Sequence, residues 1–69
     1  MIRLRVKEIA VQRGISQGRL SRMSNIDLTT IRRIYNNPTV ANITLTTLDK
    51  LAKALGVQPS DLIEYLPDK

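Results

Sequence analysis

Ser16, Asn25, Asp27 and Pro38 divide the middle of this 69-residue chain into two short helical patterns with only Asn25 and Ile26 between them. That punctuation constrains the fold more than any other feature. Helices of this length do not persist alone in water, so each must bury an apolar stripe against its neighbour and against a further element. A two-residue connection fixes the angle at which they meet. Ser16 and Asp27 are residues whose side chains accept hydrogen bonds from the free N–H groups of a first helical turn. Asparagine tolerates the left-handed turn conformation better than most residues, and Pro38 cannot continue a helix.

The second of these patterns, residues 27–36, divides by face. At about 100° per residue, with Leu28 set at zero, Arg32 falls at about 40°, Asn36 at about 80°, Thr29 at about 100° and Arg33 at about 140°. Ile34, Ile31 and Tyr35 occupy the opposite arc. One side is braced by aliphatics and the other carries two guanidiniums, a hydroxyl and an amide. Thr30, at about 200°, is expected as a structural neighbour of the preceding helix.

The rest of the chain reads as helices. Residues 4–13 place Val6, Ile9, Ala10 and Arg13 on one face, with Gly14 as the stop. Ile2 and Leu4 alternate with Arg3 and Arg5, which equally fits an extended start. Leu20 and Met23 are expected to face inward on the second helix, with Ser21 and Ser24 beside them. After a loop at 37–43, Thr44 caps a helix whose apolar positions are Leu45, Leu48, Leu51, Ala52 and Leu55, closed by Gly56. Pro59 at the first position and Asp61 in the first turn predict a fifth helix, with Leu62, Ile63 and Leu66 as its inner face. The expectation is all-α: one domain, residues 1–69, of five short helices around one core, with the two-helix unit at about 16–36.

Composition narrows the chemistry. The chain lacks cysteine, histidine, phenylalanine and tryptophan, so disulfides and most metal sites are excluded and the core must be aliphatic. No base or nucleophile pair is present for catalysis, and no cofactor, metal or small-molecule ligand is expected. The longest apolar run, residues 9–11, is far short of a membrane span. A cytoplasmic, nucleoid-associated protein is the expectation. The formal net charge is +5, and it is unevenly placed. Residues 1–37 hold eight cations against Glu8 and Asp27, +6, whereas residues 38–69 hold three against four acids, −1. A positive field on the half that carries the two-helix unit favours a polyanion. RNA is disfavoured, because Tyr35 and Tyr65 are the sole aromatics for base stacking.

Gly14-Ile15-Ser16-Gln17, Leu20, Ile26, Ile31, Ile34 and the run at 47–57 (TLDKLAKALGV) together resemble the Cro/repressor-type helix-turn-helix domains of phage and bacterial regulators, the Xre group. The resemblance spans essentially the whole chain. It implies a compact, lambda-repressor-like bundle that binds double-stranded DNA, with the third helix in the major groove. Leu28, Thr29, Arg32 and Arg33 are then the expected base contacts, and Ser16, Gln17, Asn36 and Asn37 the expected phosphate contacts. Each has a plainer reading. Ser16 and Gln17 also suit a helix cap, Asn36 and Asn37 a helix end, Leu28 a contact with Tyr35, and the arginines a solvated face. Arg3 and Arg5 are candidates for a short basic arm.

The chain departs from the family pattern in several places. Relatives usually carry alanine at Ser21, a large aliphatic at Ser24 and glycine at Asn25; Met23 is expected to fill the space left by Ser24. Ala10 and Tyr35 stand where relatives often have a charged pair, and the loop at 37–43 is longer than in the shortest members. The function implied is a sequence-specific transcriptional regulator, a repressor, dimerising through the helices present or only on DNA. The alternative is a protein-interaction module, such as an antitoxin, that retains the fold.

Overall fold

The computed structural model describes residues 1–39 and 42–67; Val40 and Ala41 of the expected loop, and Asp68 and Lys69, lie outside them. The elements run β1 (Ile2–Leu4), α1 (Val6–Gln12), α2 (Gln17–Ser24), α3 (Leu28–Asn36), α4 (Leu45–Leu55), a 3₁₀ turn (Pro59–Leu62) and β2 (Ile63–Tyr65). Among the described residues there are thus four α-helices, and the expected fifth is replaced by the 3₁₀ turn and a strand. Pro59 and Asp61 do open a helical turn, with the Asp61 carboxylate accepting from Gln58 N–H at 3.0 Å. The turn stops because β2 then pairs antiparallel with β1, Ile2 facing Tyr65, Arg3 facing Glu64 and Leu4 facing Ile63.

This pairing also settles the start of the chain. Residues 2–4 are extended, so α1 begins at Val6. Leu4 N–H donates to Pro38 C=O at 2.9 Å and Arg5 N–H to Leu62 C=O at 2.8 Å, which ties the first strand to the end of the α3 region and to the 3₁₀ turn. Arg3 is no free arm. Its guanidinium bridges Glu8 at 2.7 Å and Glu64 at 3.0 Å, and these carboxylates raise its pKa, Glu8 foremost.

The helix ends follow the local chemistry. Ser16, Asp27 and Thr44 each accept a backbone N–H three residues on. Gly14 (φ 67°), Asn25 (φ 58°) and Gly56 (φ 70°) take the left-handed conformation after α1, α2 and α4. Behind α3 lies the core, where Val6, Leu20, Ile31, Ile34, Leu51, Leu55 and Leu62 are almost wholly enclosed. Burying these aliphatics is the main force holding the short helices together.

Four positions differ from expectation, Met23, Ser24, Leu45 and Ile63. Met23 is exposed and Ser24 is buried, so Met23 does not fill the place of the missing aliphatic. Ser24 is accommodated because its Oγ donates back to Leu20 C=O at 2.6 Å, satisfying the hydroxyl inside its own helix. Leu45 shares a stripe with Leu48 but is 84% exposed. Ile63 is exposed as well, a consequence of its place in β2 instead of a helix.

Candidate nucleic-acid interface

The unit formed by α2 and α3 is built from local bonds. Ser21 Oγ donates to Ile26 C=O at 2.5 Å and Ile26 N–H to Ser21 C=O at 3.3 Å, so the turn is fastened to α2 across Asn25. Ile26 itself is buried. The Asp27 carboxylate accepts from Thr30 N–H at 3.0 Å and from Thr30 Oγ1–H at 2.8 Å. Thr30 therefore completes the cap of its own helix, a role nearer than the expected contact with α2. These bonds, the Thr30 hydroxyl first, hold the Asp27 carboxyl below the usual carboxylate range, and Arg33 adds to the effect.

With Ile31 and Ile34 buried, the outer arc of α3 faces solvent. Thr29, Arg32, Arg33 and Asn36 are exposed and Leu28 is half-buried. Among the described residues neither Arg32 nor Arg33 has an ion-pair or hydrogen-bond partner. Five of the eight expected contact residues thus share one helix and one face of it. The remaining three sit at helix ends. Ser16 and Gln17 open α2, and Asn37 closes α3, its N–H donating to Arg33 C=O at 2.9 Å.

Ser16 shows how cap and anion site coexist. Its Oγ accepts from Arg19 N–H at 3.2 Å, while the hydroxyl proton stays available to donate. The first N–H groups of α2 point the same way, and the positive end of the helix dipole favours an anion there. Arg19 and Arg22 of the same helix are exposed, extending the positive surface.

Tyr35 was assigned to the inner arc, and it lies half-buried against the core beside α1, where Ala10 is fully enclosed. With Lys7, Val11 and Gln12 it lines a cleft of ≈ 580 Å³. Burial pushes its hydroxyl pKa up. Where relatives often carry a charged pair, the chain thus has an enclosed Ala10 and a half-buried Tyr35 packed against the core. Among the described residues no group of acidic, histidine or cysteine side chains could hold a metal ion, and no helix is long and apolar enough to cross a membrane.

No curated protein matches the chain. The model of one family does, over residues 5–68, from the end of β1 through every helix to beyond β2. A match over that length shows the family, and the chain belongs to the Cro/C1-type HTH DNA-binding domain family.

Proposed function

We propose that the chain is a sequence-specific regulator of transcription, a repressor, that lays α3 in the major groove of double-stranded DNA and works as a homodimer. It acts as one DNA-binding domain, with residues 16–36 as the reading unit, in the cytoplasm at the nucleoid, without cofactor or catalysis of its own. The observation that carries this reading is the arc of α3. Among the described residues Arg32 and Arg33 stand exposed and unpaired, on a helix whose other side is locked by Ile31 and Ile34.

Arg32, near the centre of that arc, suits the paired O6 and N7 acceptors of guanine. Arg33, nearer the edge, can take a base or the adjoining phosphate. Thr29 and the half-buried Leu28 offer methyl groups to thymine, and Thr29 adds a hydroxyl. Ser16 and Gln17 at the start of α2, and Asn36 and Asn37 at the end of α3, would hold phosphates on either side and so set the depth of insertion. Repression follows from occupancy, because a body seated across the groove excludes other proteins from the same site.

Selection from a random duplex library tests this reading. Two half-sites about 34 Å apart should be enriched. Arg32→Ala should relax one base position by about 10- to 100-fold in affinity ratio. A library that yields no consensus, or a double Arg32→Ala, Arg33→Ala variant that binds the selected site unchanged, would overturn it.

A further inference from the structure

We propose that the cleft between α1 and the end of α3 binds a small zwitterion with a large apolar body, of the class of the free apolar α-amino acids. The site goes beyond the reading above, and the observations behind it do not involve DNA.

One side of the cleft is a face of α1. Lys7 lies one helical turn before Val11, and Glu8 one turn before Gln12, so a cation and a carboxylate stand next to an apolar side chain and an amide. Tyr35 near the end of α3 and Pro38 beyond it complete the lining together with Arg3. The volume of ≈ 580 Å³ falls within the roughly 300–1,000 Å³ of sites that hold small molecules. Composition offered no reason to expect a ligand, because the groups that converge here lie far apart along the chain.

Unsatisfied polar groups concentrate in this place. Among the described residues, the buried side-chain atoms that lack a hydrogen bond are Tyr35 Oη and Glu8 Oε2, and both residues line the cleft. Buried polar atoms are almost always satisfied, so two orphans in one cleft point to a missing donor. Glu8 Oε2 lies 2.7 Å from Arg3 Nη2, but the two are not aligned as a hydrogen bond. The aligned bond of that guanidinium goes to Glu64 at 3.0 Å. Arg3 is thus shared between two carboxylates, and Glu8 keeps negative charge and accepting capacity to spare. Lys7 is the opposite pole. It is exposed, and among the described residues it has no ion-pair or hydrogen-bond partner. Arg3 and Lys7 together balance Glu8 and Glu64, so the cleft is neutral with one free pole of each sign. A ligand carrying an ammonium and a carboxylate on one carbon matches both poles. Its ammonium donates to Glu8 Oε2 and Tyr35 Oη, and its carboxylate accepts from Lys7 Nζ. Its side chain then lies on Val11, Pro38 and the ring of Tyr35. Glu8 and Tyr35 are half-buried, so a change of rotamer brings either oxygen to the cleft opening. A plain amine would leave Lys7 unpaired, and a plain acid would leave Glu8 unpaired.

Titration of the full chain with L-phenylalanine, followed by backbone amide NMR shifts without DNA, tests the site. Saturable shifts should appear at the cleft residues of α1 and at Tyr35 and Pro38, with a Kd of about 0.1–1 mM. N-acetylphenylalanine, which lacks the ammonium, and phenethylamine, which lacks the carboxylate, should each bind about tenfold more weakly or worse. Glycine, which lacks the apolar body, should bind as poorly. Lys7→Gln, at an exposed position, should weaken phenylalanine binding about tenfold with an unchanged far-ultraviolet spectrum. Tyr35→Phe should weaken it about 3- to 10-fold, yet leave the melting temperature of the free protein as high or higher, because the hydroxyl has no partner to lose. Leu45→Gln, exposed and outside this cleft, should bind phenylalanine as the wild type does. No shifts at about 10 mM phenylalanine, shifts centred away from the cleft, equal binding of the one-pole probes, or unchanged binding by Lys7→Gln and Tyr35→Phe would each overturn the site. Cleft-centred binding in a protein that ignores DNA would support the site and refute the DNA reading.

Discussion

Asn25 offers a clean test of the geometry that aims α3. It holds φ 58° and ψ 37° between α2 and Ile26, is exposed, and its side chain has no hydrogen-bond partner among the described residues. Replacing it therefore changes backbone strain with little loss of contact. A residue with a Cβ pays about 1–2 kcal/mol in this conformation, of which asparagine recovers part through local polar contacts. Glycine removes the strain but gains freedom in the unfolded chain, which offsets about 0.4–1 kcal/mol. Asn25→Ala should accordingly destabilise by about 1 kcal/mol, lowering the melting temperature by about 4–8 °C for a chain of this size. Asn25→Gly should fall within about 0.5 kcal/mol of the wild type or above it, and Asn25→Val should be worse than alanine. Thermal and urea unfolding followed at 222 nm give the order directly. If alanine equals or exceeds asparagine, the turn is not left-handed, and the described placement of α3 against α2 fails with it.

Other substitutions probe the core, the cap and the inward serine. Ile34→Ala removes a wholly buried anchor of α3 and should cost about 2–5 kcal/mol in urea unfolding, while Ile34→Val should cost about 0.5–1.5. Ser24→Leu should overpack its enclosed site by about 1–3 kcal/mol, whereas Met23→Lys on the exposed side should change stability little. The Asp27 carboxyl has a lowered pKa in the folded state. Its contribution is therefore complete above the ordinary aspartate pKa of about 3.9 and is lost as pH falls through the lower folded value. Asp27→Asn should flatten that acid limb of a stability–pH curve, and a variant that retains it would refute the assignment.

What was legible in the sequence is what depends on near neighbours. Ser16, Asp27 and Thr44 cap helices because a short polar side chain reaches an N–H three residues away. Gly14, Asn25 and Gly56 end helices because few other residues accept a positive φ. The exposed arc of α3 followed from the helical period alone. The last segment was misread because its partner lies about sixty residues away. Ile63, Glu64 and Tyr65 alternate in the two-residue period of a strand, and only the equally alternating Ile2–Leu4 completes the pair. Pro59 and Asp61 spoke for one helical turn, and that turn exists. Ser24 was misplaced because its burial depends on a bond to Leu20 C=O that lets a hydroxyl sit where an aliphatic is usual.

The most direct test of the account is the salt dependence of binding to a selected duplex, measured for the wild type and for the Arg32→Ala, Arg33→Ala variant. Each phosphate neutralised contributes about −0.9 to the slope of log K against log salt, and a base-reading arginine contributes preference for the selected site over random DNA. The account predicts weaker binding, a slope shallower by about 1 to 2, and collapse of that preference toward unity, with unfolding unchanged. Equal affinity, slope and site preference in the two proteins would contradict it.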